Sequence, residues 1–283
     1  MRDTILAVCF LFPLGFFSCT EPIDIEMKEN DARLVVDGSF NNEPKAHTIT
    51  LSKTSGYLSG QDQVMVEGAT VKLTDGTHHY LLKENAQGKY KTNSQFQGIA
   101  GKQYTLQITL KEPVGGHADY QAVSVISEPA TLDSVFLEFY PDFSDEGMWE
   151  IRGYFEDPPG PDYYRFLVYR NSELATNSIT DWFVTDDRFF EGRYVYGWTV
   201  AFLHQHRRRE ALAAGDRVTV QMDRISREYA IFIQGIQSEM QESYPLFSGP
   251  PANVKGNVSN GAIGFFEAYA SSKVTVMVTK NSR

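Results

Sequence analysis

Apolar and polar residues alternate with a period of two along most of this chain, which turns one set inward and leaves the other in water. Residues 47–53 set Ile49 and Leu51 against Thr48, Thr50 and Ser52. Residues 69–74 set Ala69, Val71 and Leu73 against Thr70, Lys72 and Thr74, and 102–110 carry Tyr104, Leu106, Ile108 and Leu110 at every second position. Each run predicts a half-buried strand. Further strands are expected at 33–40, 80–83, 89–92 and 121–127, with Asp75-Gly76 as a hairpin turn. Short strands at this spacing, with turn residues between them, predict a β-sandwich of the immunoglobulin or transthyretin kind over residues 32–128.

A boundary is expected near 127–129, where Pro129 follows a strand. Beyond it, β runs occur at 135–140, 149–155, 163–170, 194–203, 217–222, 262–268 and 273–279. Residues 157–162, Asp-Pro-Pro-Gly-Pro-Asp, predict a loop, because proline breaks both ladders and helices. One stretch shifts to a helical period. Ser226 can cap it, Glu228 suits its first turn, and Tyr229, Phe232, Ile233, Ile236 and Met240 share a face, predicting a helix over 226–243. The fold class is therefore mainly β, an N-terminal sandwich followed over 129–283 by a β-rich domain with one amphipathic helix.

The N-terminus changes the picture from fold to address. Residues 5–17 are apolar but shorter than the roughly 20 residues a membrane-spanning helix needs. Ser18 and Cys19 follow, and then an acidic, polar stretch. The pattern predicts a lipoprotein signal peptide over 1–18, a lipidated Cys19 and an acidic tether over 19–31, with acyl chains holding the protein on a membrane. The other cysteine, Cys9, lies in the segment to be removed, so the mature chain would fold without a disulfide. A formal charge of −10 argues against nucleic acid as a partner.

Five segments resemble a known family. They are residues 33–38 (RLVVDG), 68–75 (GATVKLTD), 88–90 with 101–106 (GKY, GKQYTL), 187–192 (DRFFEG) and 256–266 (GNVSNGAIGFF). In this order they are similar to the Bacteroidota domain of unknown function 4249 lipoproteins. The resemblance implies an outer-membrane lipoprotein of the kind often associated with TonB-dependent transporters, and it implies no catalytic residue. Within 256–266 the glycines and Asn257 and Asn260 suit left-handed backbone, and Gly261 and Gly264 beside two phenylalanines suit a bulged strand.

The chemistry-bearing residues are sparse. The sequence holds no G-x-S-x-G, H-E-x-x-H, P-loop or G-x-G-x-x-G pattern, so a non-enzymatic protein without a cofactor is expected. Trp182 follows Asp181 and is the tryptophan expected to be partly exposed; Trp149 and Trp198 read more readily as core. Asp186, Asp187 and Glu191 cluster around Arg188 and are candidate ligand-binding residues. Calcium wants six to eight oxygens, and this spacing fits no known loop code, so a solvated turn is preferred to a metal site. The acidic loop with Asp142, Asp145 and Glu146 reads the same way. His204, His206 and Arg207 to Arg209 form the one dense basic run, expected to be a solvated loop. The expectation is an outer-membrane-anchored binding or accessory lipoprotein of a TonB-dependent uptake system. An envelope hydrolase acting on glycan or peptide and a structural or adhesive surface protein are the alternatives.

Overall fold

The alternating runs close into two β-sandwiches that share one long sheet. The computed structural model describes residues 32–54, 64–143, 146–241 and 254–279; the signal segment, Cys19, the tether and Asp145 lie outside them. The first half holds β1 (Leu34–Asn41), β2 (Thr48–Lys53), β3 (Val64–Met65), β4 (Thr70–Thr74), β5 (His79–Leu81), β6 (Lys83–Ala86), β7 (Lys89–Lys91), β8 (Gln103–Val114) and β9 (His117–Val125). The second holds β10 (Thr131–Tyr140), β11 (Met148–Glu156), β12 (Tyr163–Arg170), β13 (Glu173–Leu174), β14 (Phe183–Asp186), β15 (Tyr194–His204), β16 (Arg217–Ile225), the helix α1 (Arg227–Gln241) and β17 (Ile263–Met277). The chain is mainly β, as the alternation predicts.

In the first sandwich, Leu34, Val36, Ile49 and Leu51 of one sheet face Val71, Leu73, Tyr104, Leu106 and Ile108 of the other in a single apolar core. The inward residues of β4 and β8 are the ones the period-two pattern selects. The chain changes sheets at Leu82, between β5 and β6. In the second sandwich the sheet β10-β11-β15 lies over β12 and β16, with Trp149, Phe155, Tyr164, Phe166 and Val220 between them.

Two β segments are expected near the C-terminus, 262–268 and 273–279; the structure makes them one strand. The N-terminal part of β17 runs parallel to β1, and its C-terminal part runs antiparallel to β16. Ser271 and Ser272 look like a break, yet they continue the strand because their polar groups are used. Ser271 N donates to Asn42 Oδ1 at 2.8 Å, and Ser272 Oγ accepts from Leu132 N at 3.1 Å. Val258, Ala262 and Phe266 consequently sit in the first core. One ten-stranded sheet, β13-β12-β16-β17-β1-β2-β7-β6 with β14 and β3 attached, therefore runs through both halves.

Helix α1 packs on the outer face of that sheet, with Ala230 and Ile233 buried against Ile225 and Tyr269. Ser226 caps it as predicted, its Oγ accepting from Tyr229 N at 3.2 Å. Met240, expected on the apolar face, is 53 % exposed. Gln237 holds the distal end instead, donating to Ile179 O and Trp182 O at 2.7 and 2.9 Å. Among the described residues, no helix is long and apolar enough to cross a membrane.

Under the helix, Arg165 (3 % exposed) meets Asp223 (0 % exposed). Its Nη2 and Nε lie 2.7 and 3.1 Å from Asp223 Oδ2, and its Nη1 donates to the Tyr229 hydroxyl at 3.2 Å. The guanidinium carbon is 4.8 Å from the ring centres of Trp182 and Tyr269 and 5.5 Å from that of Tyr229. Asp223 Oδ1 accepts from Gln221 Nε2 at 2.8 Å and from the Ser271 hydroxyl.

Glu267, 1 % exposed, closes the helix N-terminus from β17. It accepts from Ser226 N at 2.7 Å, Ser226 Oγ at 2.9 Å and Ser124 Oγ at 3.2 Å. Burial pushes its carboxyl up to about 7, against the pull of these donors and of Arg165. A folded pKa raised from the ordinary 4.5 contributes stability that is full below about pH 4.5 and lost as pH rises through 7. Glu267→Gln is therefore expected to flatten the stability profile between pH 4.5 and 7.5, removing a slope worth about 3 kcal/mol. Urea unfolding at several pH values measures it; an unchanged slope in the variant would contradict the assignment.

Candidate functional site

Between β14 and β15, at the edges of the two sheets of the second sandwich, lies a cleft of about 710 Å³, within the range of small-molecule pockets. One wall comes from the segment leading into β14. Ser178 starts a short 3-10 turn over Ile179–Asp181, its N–H donating to Asp181 Oδ2 at 3.1 Å and its Oγ accepting from Thr180 N at 3.3 Å. The turn delivers Trp182, whose Nε1 donates to Thr176 O at 3.1 Å while its ring covers Arg165. Phe183 follows on the same wall.

The opposite wall is β15, contributing Trp198, Thr199, Phe202 and His204. Two register shifts against β11 interrupt its alternation, and Gly197 adopts φ +74° with the Tyr154 ring beside it. Such shifts re-aim side chains that a flat strand would direct elsewhere. The 189–190 dipeptide backs this wall, with Phe189 stacked 6.4 Å and Phe190 edge-on 5.2 Å from the Trp198 ring. One end is closed by the turn after β15. Glu210 Oε2 accepts from His204 N at 2.8 Å, and Glu210 Oε1 takes Arg207 Nη1 at 2.9 Å. The same Arg207 nitrogen reaches Asp181 Oδ1 at 3.9 Å, so Arg207 ties the two walls together. The cleft thus offers two indoles and two phenyl rings beside an acid–arginine end, a surface suited to stacking plus directional hydrogen bonds.

The acidic residues singled out in the sequence separate. Asp186 ends β14 and forks onto Arg188, with Nε–Oδ1 at 2.7 Å and Nη2–Oδ2 at 2.5 Å; that hydrogen bonding holds its carboxyl below the ordinary value. Glu191 is exposed on the following turn. Asp187 turns inward and joins Asp157 and Asp162, with ligand-capable oxygens of the three within 4.8 Å of one another. Asp157 Oδ1 accepts from the Tyr164 hydroxyl at 2.5 Å, and its Oδ2 accepts from Gly192 N at 2.7 Å. Asp187 Oδ2 accepts from Asp162 N at 2.7 Å. Asp162 Oδ1 lies 2.5 Å from Arg224 Nη2, and its Oδ2 is buried with no hydrogen-bond partner among the described residues. Burial pushes the Asp162 carboxyl up to about 6, with Arg224 opposing and Asp157 and Asp187 adding.

Trp182 is thus at the cleft and Asp187 is at a separate buried cluster. Trp198, Phe183 and Phe202 line the cleft with Trp182, beside Asp181, His204, Arg207 and Glu210, and Asp157 and Asp162 complete the cluster. The sequence signal for the last two is their position at either end of the 157–162 proline loop.

No curated protein matches the chain. A solved structure titled "Cytokine receptor complex - Crystal form 1A" is similar at 11 % identity, covering 88 % of this chain and 100 % of that one, with a TM-score of 0.24, too low for a shared fold. A family model described as "Domain of unknown function (DUF4249)" matches residues 20–275. The chain belongs to this family.

Proposed function

We propose that this protein is a non-enzymatic binding lipoprotein, anchored in the outer membrane through Cys19, that serves as an accessory component of a TonB-dependent nutrient-uptake system. The observation that carries the binding role is the cleft between β14 and β15, where Trp182 and Trp198 stand beside Asp181, Arg207 and Glu210. Flat indole faces stack on sugar rings, and the polar end supplies hydrogen bonds that fix orientation. The signal-like residues 1–18 and the acidic tether support the address.

Asp181 and Glu210 both border the cleft, which gives the envelope hydrolase its one specific observation. Each carboxylate already has a structural partner: Asp181 holds the Ser178 turn and Glu210 holds the His204 turn. Arg207 compensates the charge of both. An acid–base pair needs one carboxyl free to hold and deliver a proton, so this arrangement suits a binding wall better.

Affinity purification of the tagged full chain from mildly solubilised outer membrane tests the proposal. A transporter is expected to copurify, and Cys19→Ser is expected to move the chain out of the membrane fraction or leave it unprocessed. Trp198→Ala is expected to weaken capture of oligosaccharides at least tenfold with the circular dichroism unchanged. A solitary wild-type chain in repeated purifications, unlabelled by supplied palmitate, would sink this reading.

A further inference from the structure

We propose that Asp157, Asp162 and Asp187 form a binding site for a divalent cation, best matched by Ca²⁺. The loop over 157–162 and the turn over 187–192 bring the three carboxylates together, all buried, with oxygens within 4.8 Å of one another. The independent sign of a missing ligand is Asp162. It is 5 % exposed, its Oδ1 is engaged by Arg224, and its Oδ2 is buried without a partner among the described residues. A buried carboxylate oxygen left bare is costly, and native proteins rarely leave one so. Three carboxylates less one guanidinium leave two formal negative charges, the complement of a divalent ion.

The donor set selects the ion class. It is made of carboxylate oxygens, with no imidazole or thiolate among the three, and hard oxygen ligands suit Ca²⁺ and Mg²⁺ over zinc or copper. Ca²⁺ tolerates irregular oxygen shells, whereas Mg²⁺ demands near-octahedral geometry. Asp162 also borders the groove between the two halves, lined with Ser127, Tyr163 and Arg227.

The site bears on the cleft through one short segment. Asp187 and Gly192 are both fastened to the cluster, the first through Asp162 N and the second through Asp157 Oδ2. Phe189 and Phe190, between them, back the Trp198 ring of the cleft. A cation at the cluster would therefore stiffen the support of that wall. The cation site itself does not depend on the cleft being a binding site.

Terbium titration of the full chain, purified and stripped with chelator, tests this. Tyr164 lies against Asp157 and serves as the antenna for sensitised emission. The expected result is saturable Tb³⁺ emission displaced by Ca²⁺ at least tenfold more readily than by Mg²⁺, and a Tm raised by about 5–10 °C at a hundredfold excess of Ca²⁺ over its Kd. Asp162→Asn should weaken Ca²⁺ binding at least tenfold, and Asp186→Asn, whose carboxylate serves Arg188, should leave it unchanged. Absence of both the emission and the Tm rise in the wild-type chain at millimolar Ca²⁺ would overturn the proposal. So would an Asp162→Asn chain that binds Ca²⁺ as the wild type does.

Discussion

Arg165→Ala is expected to remove about 3–5 kcal/mol of folding free energy, the range for stripping one partner from a buried ion pair. For a domain whose whole stability is about 5–15 kcal/mol, that is a large share. Asp223 would be left fully buried, with Gln221 and Ser271 the donors remaining to it. The three rings around the guanidinium, Trp182, Tyr229 and Tyr269, would also lose the cation they enclose. Arg165→Lys should recover only part of the loss, since an ammonium cannot lie flat between rings while bonding both Asp223 and Tyr229. The decisive comparison is Arg165→Met combined with Asp223→Asn. It removes both charges and keeps an acceptor for Gln221, and should be more stable than Arg165→Ala by at least about 2 kcal/mol. Urea midpoints followed by circular dichroism measure all three. An Arg165→Ala chain within 1 kcal/mol of wild type would mean that water reaches Asp223.

Arg165 also marks where the sequence stops being legible. Strands with one wet face, such as β4 and β8, announce their inner residues by alternation, and Val71, Leu73, Leu106 and Ile108 are all buried as the pattern requires. The strand β12 is covered on both faces, by the second core and by α1, so its residues 164–168 are buried in succession and carry no period. A lone arginine inside such a run is a visible sign of a buried partner, but the partner is fixed by pairing with β16, where Arg165 stands opposite Asp223. Nothing local to either residue encodes that register.

The same limit governs the sites. Trp182 is legible as a surface-facing aromatic, while Trp198 reads as core; the register shifts between β11 and β15 bring it to the cleft. The acidic run 186–191 draws the eye because its charges are adjacent. Adjacent positions on a strand end point different ways, however, so Asp186 goes to Arg188 and Asp187 goes inward. The carboxylates that do meet Asp187 are five residues apart from each other across a proline loop and far from it in sequence. Short edge strands such as β3, β13 and β14 are equally silent, since two to four residues cannot establish a period.

Gly264→Ala is expected to cost more than about 4 kcal/mol and to leave little folded protein, because two constraints meet there. The backbone is left-handed at φ +97°, and β1 runs alongside so closely that a Cβ would fall 2.0 Å from Val36 O. The carbonyl cannot retreat without moving Val36, which is wholly buried in the first core and stands opposite Gly264 in the parallel pair. Gly256 approaches as well, a Cβ there lying 1.7 Å from Gly264 O, so the backbones at Val36, Gly264 and Gly256 are in close contact. Asn260 adopts φ +56°, as its residue type suggests. Asn257 works differently: its amide accepts from Phe266 N at 2.9 Å and donates to Phe266 O at 2.8 Å, standing in for a strand neighbour. Gly76→Ala separates the two constraints. Its φ is +86°, but a Cβ there would meet nothing within 4 Å, so it should cost only the local strain of about 1–2 kcal/mol. Comparing the soluble yield and urea midpoint of the two alanine variants isolates the close approach from the backbone conformation. Equal losses would show that φ alone demands glycine at 264; a loss concentrated at Gly264 ties this family segment to the join between β1 and β17, the strand pair that links the two halves.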